Sequence, residues 1–298
     1  MSKQGLISVM VLFSLIFGFS FIVLKQLLDG DFPVWFLLAF RFCFGALLLL
    51  AFRRAAAAPP FDRKTLKAGV IVGTAIFFAY AVQTFGLQLT TPAKNGLFTG
   101  LYVIFVPCAM MPLKKKFSWK PLLTAPLSFA GAALISGVFG AELNLNAGDA
   151  LTVCGALFFA LHLILLERFA PALPALNFTV IQLGTVALLS AAASLCVEKG
   201  THAALDWPAV LPGLLFLTVF ATGLASFFQT FVQARLPAST TAVILCLESV
   251  FAVVFSVLFG YDRFTVSFGA GSALIIAAML LASAGKQEAL LGDAKPAP

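Results

Sequence analysis

The sequence predicts an all-α integral membrane protein with ten transmembrane helices, arranged as two inverted five-helix repeats. Of the 298 residues, 61% are hydrophobic and only 10% are charged, whereas soluble domains carry roughly 25% charged residues. The apolar residues form runs of about 20, the length at which a helix crosses a bilayer. The tripeptide Gln-Thr-Phe also occurs twice, at residues 83–85 and 229–231, about half a chain apart.

The ten apolar runs are joined by short connections rich in Pro, Gly or Asp, such as "DGDFP" at residues 29–33. We expect the first run to be a retained helix, because it is long and lacks a small-x-small cleavage site. The polar segment 286–298 is expected to be a disordered cytoplasmic tail. The predicted helices are Gly5–Leu27, Phe32–Phe52, Leu66–Leu87, Thr91–Leu113, Pro121–Phe139, Gly148–Phe169, Ala175–Val197, Pro208–Val232, Ala238–Gly260 and Phe264–Ala284.

The distribution of basic residues predicts the orientation. With both termini on one side of the membrane, fourteen of the nineteen Lys and Arg residues fall on that side and four on the other. Cytoplasmic segments carry the excess of Lys and Arg, so both termini are expected in the cytoplasm of a cell (inner) membrane protein. The net charge of +7 is therefore a topology signal, and we expect no nucleic-acid partner.

The two halves, residues 1–140 and 141–285, match each other segment by segment. When the second half is shifted back by 146 residues, Gln229 lies on Gln83 and Leu247 on Leu101. Five spans per repeat is an odd number, so the second copy enters the membrane in the opposite orientation. Inverted repeats are typical of secondary transporters, whose site lies near the membrane midplane between the halves.

Several segments resemble the EamA-type branch of the drug/metabolite transporter superfamily. They are "FGFSFIVLK" (17–25), Arg41, "TTPAKNGLFTGLYVIFVP" (90–107) and "LPASTTAVILCLESVF" (236–251). The resemblance covers nearly the whole chain. It implies ten helices with both ends cytoplasmic, and a central cavity lined mainly by helices three, four, eight and nine with one and six. It also implies substrates such as amino acids, purines and other metabolites, often exported.

Three ionisable residues lie near the middle of predicted spans, where a charge is costly and needs a reason. Glu248 could bind a substrate amine or carry a proton, or it could be a neutral acid bonded to a carbonyl. Arg41 could hold a substrate carboxylate, but we expect a structural role for it. His162 could relay protons, although a lone histidine is more often a satisfied core residue.

Uncharged polar residues recur on single faces of three predicted helices, which favours an inward orientation because lipid cannot satisfy them. We expect them to line the cavity; the alternative is that they only bond helices together. Thr241 joins this set because it lies seven residues before Glu248, on the same helical face. The faces comprise Tyr80, Gln83 and Thr84 in the third helix, Asn95, Thr99 and Tyr102 in the fourth, and Ser226, Gln229 and Gln233 in the eighth.

The sequence contains no Walker loop, HExxH, GxSxG or CxxC motif. We therefore expect no enzymatic activity, no cofactor and no metal. The predicted function is secondary transport of a small metabolite, an amino acid or related solute, by alternating access and in the direction of export. The alternatives are a passive channel and an intramembrane enzyme. The expected partners are a small-molecule substrate and the lipid bilayer, with the chain acting as a monomer or homodimer.

Overall fold

The computed structural model describes residues 3–114, 146–198 and 206–292, with scattered positions between 124 and 134. The regular elements of these ranges are helices. Two short elements of other kinds interrupt the α-helices, a 3₁₀ turn at Ala170–Ala172 and a π-helical segment at Val219–Leu224. In chain order the α-helices are α1 (Lys3–Asp29), α2 (Val34–Ala55), α3 (Arg63–Leu89), α4 (Pro92–Thr99), α5 (Tyr102–Lys114), α6 (Ala147–Phe169), α7 (Ala175–Val197), α8 (Trp207–Thr218), α9 (Ala225–Gln233), α10 (Ala238–Leu245), α11 (Leu247–Leu258) and α12 (Val266–Gly292).

Eight helical stretches in the described ranges are long and apolar enough to cross a membrane, with α4–α5, α8–α9 and α10–α11 each forming one stretch. The apolar part of α12, Val266–Ala278, is shorter. Most of the predicted fifth helix, Pro121–Phe139, lies outside the described residues. The last helix continues to Gly292, into the segment 286–298 that was expected to be a disordered tail. The chain is a multi-pass membrane protein.

The predicted fourth and ninth helices are broken near their middles. Gly100 and Leu101 separate α4 from α5, and the Leu101 N–H donates to the Phe98 carbonyl (3.2 Å) in a tighter, three-residue turn. Cys246 separates α10 from α11, and the Ser249 N–H donates to the Cys246 carbonyl (3.1 Å). The breaks were not predicted because the hydropathy is continuous across them. Discontinuous helices are a common feature of transporter binding sites.

The predicted eighth helix is also irregular, because the π-helical segment Val219–Leu224 widens it by one residue per turn. Here the helix meets α2 closely, since a Cβ on Gly223 would lie 3.7 Å from the Gly45 Cα. The widened turn places the Thr222 hydroxyl against Arg41 of α2. Such π-bulges occur frequently at functional sites.

Glycines allow α1 and α4 to pack directly against α11. A Cβ added to Gly18 of α1 would overlap the Phe251 Cβ, and one added to Gly96 of α4 would overlap the Ala252 Cβ. Helices in lipid associate through such small residues, because close backbone approach replaces the hydrophobic effect as the source of packing energy. These contacts bring both broken helices to the centre of the bundle.

Polar contacts join α2 to α7 at both ends of the pair. At one end Glu198 accepts hydrogen bonds from the N–H groups of Trp35 (2.8 Å) and Phe36 (2.9 Å), which begin α2. At the other end the Arg53 Nε donates to the Asn177 Oδ1 (2.8 Å). Pro33, the residue before α2, offers no side-chain cap. Glu198 therefore satisfies two of the donors that a helix start leaves free.

We expect Glu198→Ala to lower the free energy of unfolding by about 1–2 kcal/mol, because it removes the acceptor for two N–H groups at a helix start. Thermal unfolding of the detergent-solubilised protein measures the change. Asp206→Ala is the control, because Asp206 also precedes a helix but makes no capping hydrogen bond. Equal melting temperatures for the two variants would contradict the capping role.

Candidate functional site

A narrow cavity of about 40 Å³ lies at the centre of the bundle, enough for only a few water molecules. Its walls come from α1, α2, α3, α6, α9 and from both broken helices. Eight residues that the sequence analysis proposed as site residues line it: Arg41, Tyr80, Gln83, Thr99, Tyr102, His162, Gln229 and Glu248.

Glu248 and Tyr102 contact each other across this cavity. The Tyr102 hydroxyl donates to the Glu248 Oε1 at 3.0 Å, and both side chains are buried. Tyr102 is the first residue of α5 and Glu248 lies in the first turn of α11, so each follows a helix break directly. The positive end of the helix dipole favours an acidic side chain in a first turn. No described residue forms an ion pair with Glu248.

Arg41 is the largest of the fully buried side chains, at 1% exposure. Its Nε donates to the Thr222 Oγ1 (2.9 Å), and its guanidinium carbon lies 5.0 Å from the centre of the Tyr80 ring and 5.2 Å from that of Phe42. Among the described residues its Nη1 has no hydrogen-bond partner. The sequence analysis favoured a structural Arg41; the structure places it in the cavity wall with one donor group unused.

His162 is buried in α6 and its Nε2 lies 3.3 Å from the Gln182 Oε1. Within the described ranges the His162 Nδ1 and the Gln182 Nε2 lack partners. His162 is therefore only half satisfied. A core histidine with both ring nitrogens bonded, the alternative given in the sequence analysis, would need a partner for Nδ1, and none of the described residues provides one.

Three of the predicted polar residues bond α3, α4 and α6 together. The Gln83 Nε2 donates to the Thr99 Oγ1 (2.9 Å) beside the cavity. The Asn95 Nδ2 donates to the Gln83 carbonyl (3.2 Å) and to the Thr152 Oγ1 (2.7 Å). Asn95 bonds helices together without lining the cavity. Gln83 and Thr99 bond helices together and also line the cavity.

Four further predicted site residues lie outside the cavity wall. Thr84 donates to the Tyr80 carbonyl of its own helix (2.6 Å), and the Gln233 Nε2 donates to the Leu163 carbonyl (3.1 Å). Thr241 is buried and Ser226 is half-buried. Helical periodicity identifies a polar face of a helix, but it cannot distinguish the cavity side of a helix from a buried side that faces a neighbour.

An ion pair lies where α3 ends and α4 begins. The Lys94 Nζ is 3.8 Å from the Asp149 Oδ2 at the start of α6, and Thr90 donates to the other Asp149 oxygen (2.6 Å). Both charges are largely buried, with side-chain exposures of 13% and 2%. Lys94 therefore closes one end of the bundle against α6.

Sequence reasoning missed the aromatic and apolar part of the wall. Phe159 lies between the rings of Tyr80 (5.2 Å) and Tyr102 (6.5 Å), and Phe17 and Ser20 of α1 also line the cavity. The chain has 33 phenylalanines, so no pattern in the sequence singles out Phe159. Among the described residues no group of three or more His, Cys, Asp or Glu side chains is placed to hold a metal ion.

The comparisons with known proteins agree with this architecture. The EamA-like transporter family matches residues 5–137 and 146–284. An uncharacterized transporter from Archaeoglobus fulgidus is 30% identical over 275 residues, covering 92% of this chain and 84% of that protein. A solved crystal structure matches with a TM-score of 0.71 over 97% of this chain and 99% of its own, which at 17% identity shows a shared fold.

These matches confirm the resemblance predicted from the sequence, because the family model covers nearly the whole chain. The apolar helices and the family together imply a lipid environment and a small-molecule substrate. The chain belongs to the EamA-like transporter family, a branch of the drug/metabolite transporter superfamily, and is a multi-pass membrane transporter.

Proposed function

We propose that this protein is a secondary transporter that exports a small metabolite, an amino acid or a related solute, by alternating access. In this proposal ten helices form two inverted five-helix repeats in the cell membrane, with both termini in the cytoplasm. The family model supports a duplication, because it matches residues 5–137 and 146–284 separately. The distribution of Lys and Arg supports the orientation.

The hydrogen bond between Tyr102 and Glu248 carries the proposal. These two residues are 146 apart, the same separation as between Gln83 and Gln229 of the repeated tripeptide. Corresponding positions of two repeats contact each other only close to the axis that relates the repeats. The bond between Tyr102 and Glu248 therefore supports a pseudo-two-fold axis that passes through the cavity.

Two further pairs with the same offset support this axis. The break at Gly100 in the fourth helix corresponds to the break at Cys246 in the ninth. Gln83 and Gln229 both line the cavity. Two similar halves of opposite orientation can adopt two conformations of similar energy, one open to each side. A site on the axis keeps the same wall residues in both conformations.

In this conformation the cavity is too small to hold a solute. A space of about 40 Å³ holds a few waters and no amino acid. A solute can enter only when the helices around the cavity move apart, as alternating access requires. Saturable solute flux would agree with this reading, whereas a single-channel conductance would support the alternative of a passive channel.

Glu248→Gln is expected to slow transport or to remove its pH dependence, because the variant keeps the hydrogen bond with Tyr102 but cannot gain or lose a proton. Flux into proteoliposomes between about pH 5 and 8 measures this. Tyr102→Phe is the companion variant, since it removes the hydrogen bond and leaves the acid. A wild-type pH profile in Glu248→Gln would exclude Glu248 from the mechanism.

Gln83→Ala and Gln229→Ala should each change the KM for the transported solute, because both side chains line the cavity. The control is Gln233→Ala, since Gln233 is a buried glutamine of the neighbouring α9 turn that lies outside the cavity wall. Concentration-dependent flux provides the measurement. An unchanged KM in both cavity variants would assign the two residues to packing alone.

The inverted topology is testable by labelling single cysteines in sealed vesicles, after the five native cysteines have been replaced. We expect Ser2→Cys and Lys286→Cys to react from the same side, and Lys199→Cys to react from the opposite side. Labelling of the two ends of the chain from opposite sides would contradict the inverted repeat and with it alternating access between two halves.

A further inference from the structure

We infer that the cavity, once the surrounding helices have moved apart, binds an elongated zwitterion, with its negative group at Arg41 and its amine at Glu248, at the two ends of a chain of three contacting aromatic rings. The inference rests on the proposed transport function and names the substrate class. It departs from the structural role that the sequence favoured for Arg41.

The first step is the incomplete bonding of Arg41. A buried guanidinium without a counter-charge is costly, and its donors are normally all used. Arg53 of the same helix is an example of a structural arginine, since it donates to the Asn177 Oδ1 (2.8 Å) and to the Pro59 carbonyl (2.7 Å). Arg41 by contrast has an unused Nη1 and no ion pair with a described residue. This atom belongs to a side chain in the cavity wall, which suits a carboxylate.

The second step is that Glu248 is equally incomplete. Its hydrogen bond comes from the neutral Tyr102 hydroxyl, and neither Arg41 nor a lysine of the described ranges pairs with it. The cavity wall thus contains a carboxyl group and a guanidinium group that form no direct ion pair, with His162 as a further ionisable residue. A ligand with one positive and one negative group would compensate both charges and leave the site neutral.

A chain of aromatic contacts connects the two charged groups. The Arg41 guanidinium packs on the Tyr80 ring (5.0 Å), Tyr80 packs on Phe159 (5.2 Å), and Phe159 packs on Tyr102 (6.5 Å), whose hydroxyl bonds Glu248. The contacting rings Tyr80, Phe159 and Tyr102 thus link two charged groups that form no direct ion pair. An α-amino acid carries both charged groups on one carbon, whereas the methylene chain of an ω-amino acid holds them apart, which suits two separate partners.

The rings also suit the middle of such a ligand. Methylene groups pack well on aromatic faces, and the ring faces favour a nearby ammonium group. Ile76 and Leu24 add apolar surface to the same wall.

The test compares pairs of isomers with the same atoms and the same net charge. Binding of 6-aminohexanoate and norleucine, and of 4-aminobutyrate and 2-aminobutyrate, is measured on the purified full chain by calorimetry and thermal shift. We expect the better ω-isomer to bind at least about tenfold tighter than its α-isomer, the effect of one hydrogen bond to a charged group. Equal or tighter binding of the α-isomers would overturn the inference.

Single-residue variants then test which end of the ligand binds at Arg41 and which at Glu248. Arg41→Gln should weaken 6-aminohexanoate at least about tenfold and leave hexylamine unchanged, whereas Glu248→Gln should weaken 6-aminohexanoate and leave hexanoate unchanged. Arg63→Gln, an exposed arginine at the start of α3, is the matched control. If Arg41→Gln does not fold, Arg41→Lys and competition by hexanoate against the wild type replace it. Unchanged 6-aminohexanoate binding in the Arg41 variant, or failure of hexanoate to compete, would overturn the assignment.

The zwitterion inference and the proposed transport mechanism can fail independently. Saturable flux of another solute, together with no binding of any ω-amino acid, would overturn the zwitterion inference and leave alternating access intact. Opposite-sided chain ends in the cysteine labelling would instead overturn the transport mechanism.

Discussion

The lipid interior offers no hydrogen bonds, and this constraint governs where the chain can keep its polar groups. In the described ranges the buried polar side chains include pairs that bond neighbouring helices, such as Asn95 and Thr152, and residues around the central cavity. Because a charge in hydrocarbon is costly, Arg41 and Glu248 are tolerated only in a bundle that encloses them. The cavity is thus a consequence of the same energetics that forces the rest of the chain into apolar helices.

Two breaks in otherwise apolar helices supply the backbone side of the site. Tyr102 is the first residue of α5 and Glu248 the second of α11, so both side chains project from the turn that follows a helix break. The glycine contacts of α1 and α4 with α11 hold these segments together without bulky side chains. A bundle packed through small residues can separate and close again more easily than one interlocked by large residues, which suits the proposed alternation.

One end of the bundle is closed by an ion pair that has no equivalent at the corresponding positions of the second half. The Lys94–Asp149 ion pair with Thr90 joins α4 to α6 at one end. The positions 146 residues after Lys94 and Thr90 carry Thr240 and Leu236, which cannot form such a pair. In the proposed inverted repeat, two halves of similar fold therefore need not give two conformations of equal stability. In a transporter built from repeats, the difference between the halves sets which conformation is populated.

Hydropathy by itself determined the class of fold, because only helices of about 20 apolar residues satisfy their backbone within a bilayer. It placed each of the eight long apolar spans in the described ranges within a few residues, and the cost of buried charge singled out Arg41, His162 and Glu248 as special. The tertiary structure decided which polar residues share one cavity, that Asn95, Thr84, Gln233, Thr241 and Ser226 do not line it, and that Phe159 does. Periodicity identifies a buried face but not the neighbour it meets, and hydropathy is blind to a broken turn. The neighbour that a helix face meets and the position of a broken turn both depend on contacts between residues far apart in the chain, which only the folded bundle defines.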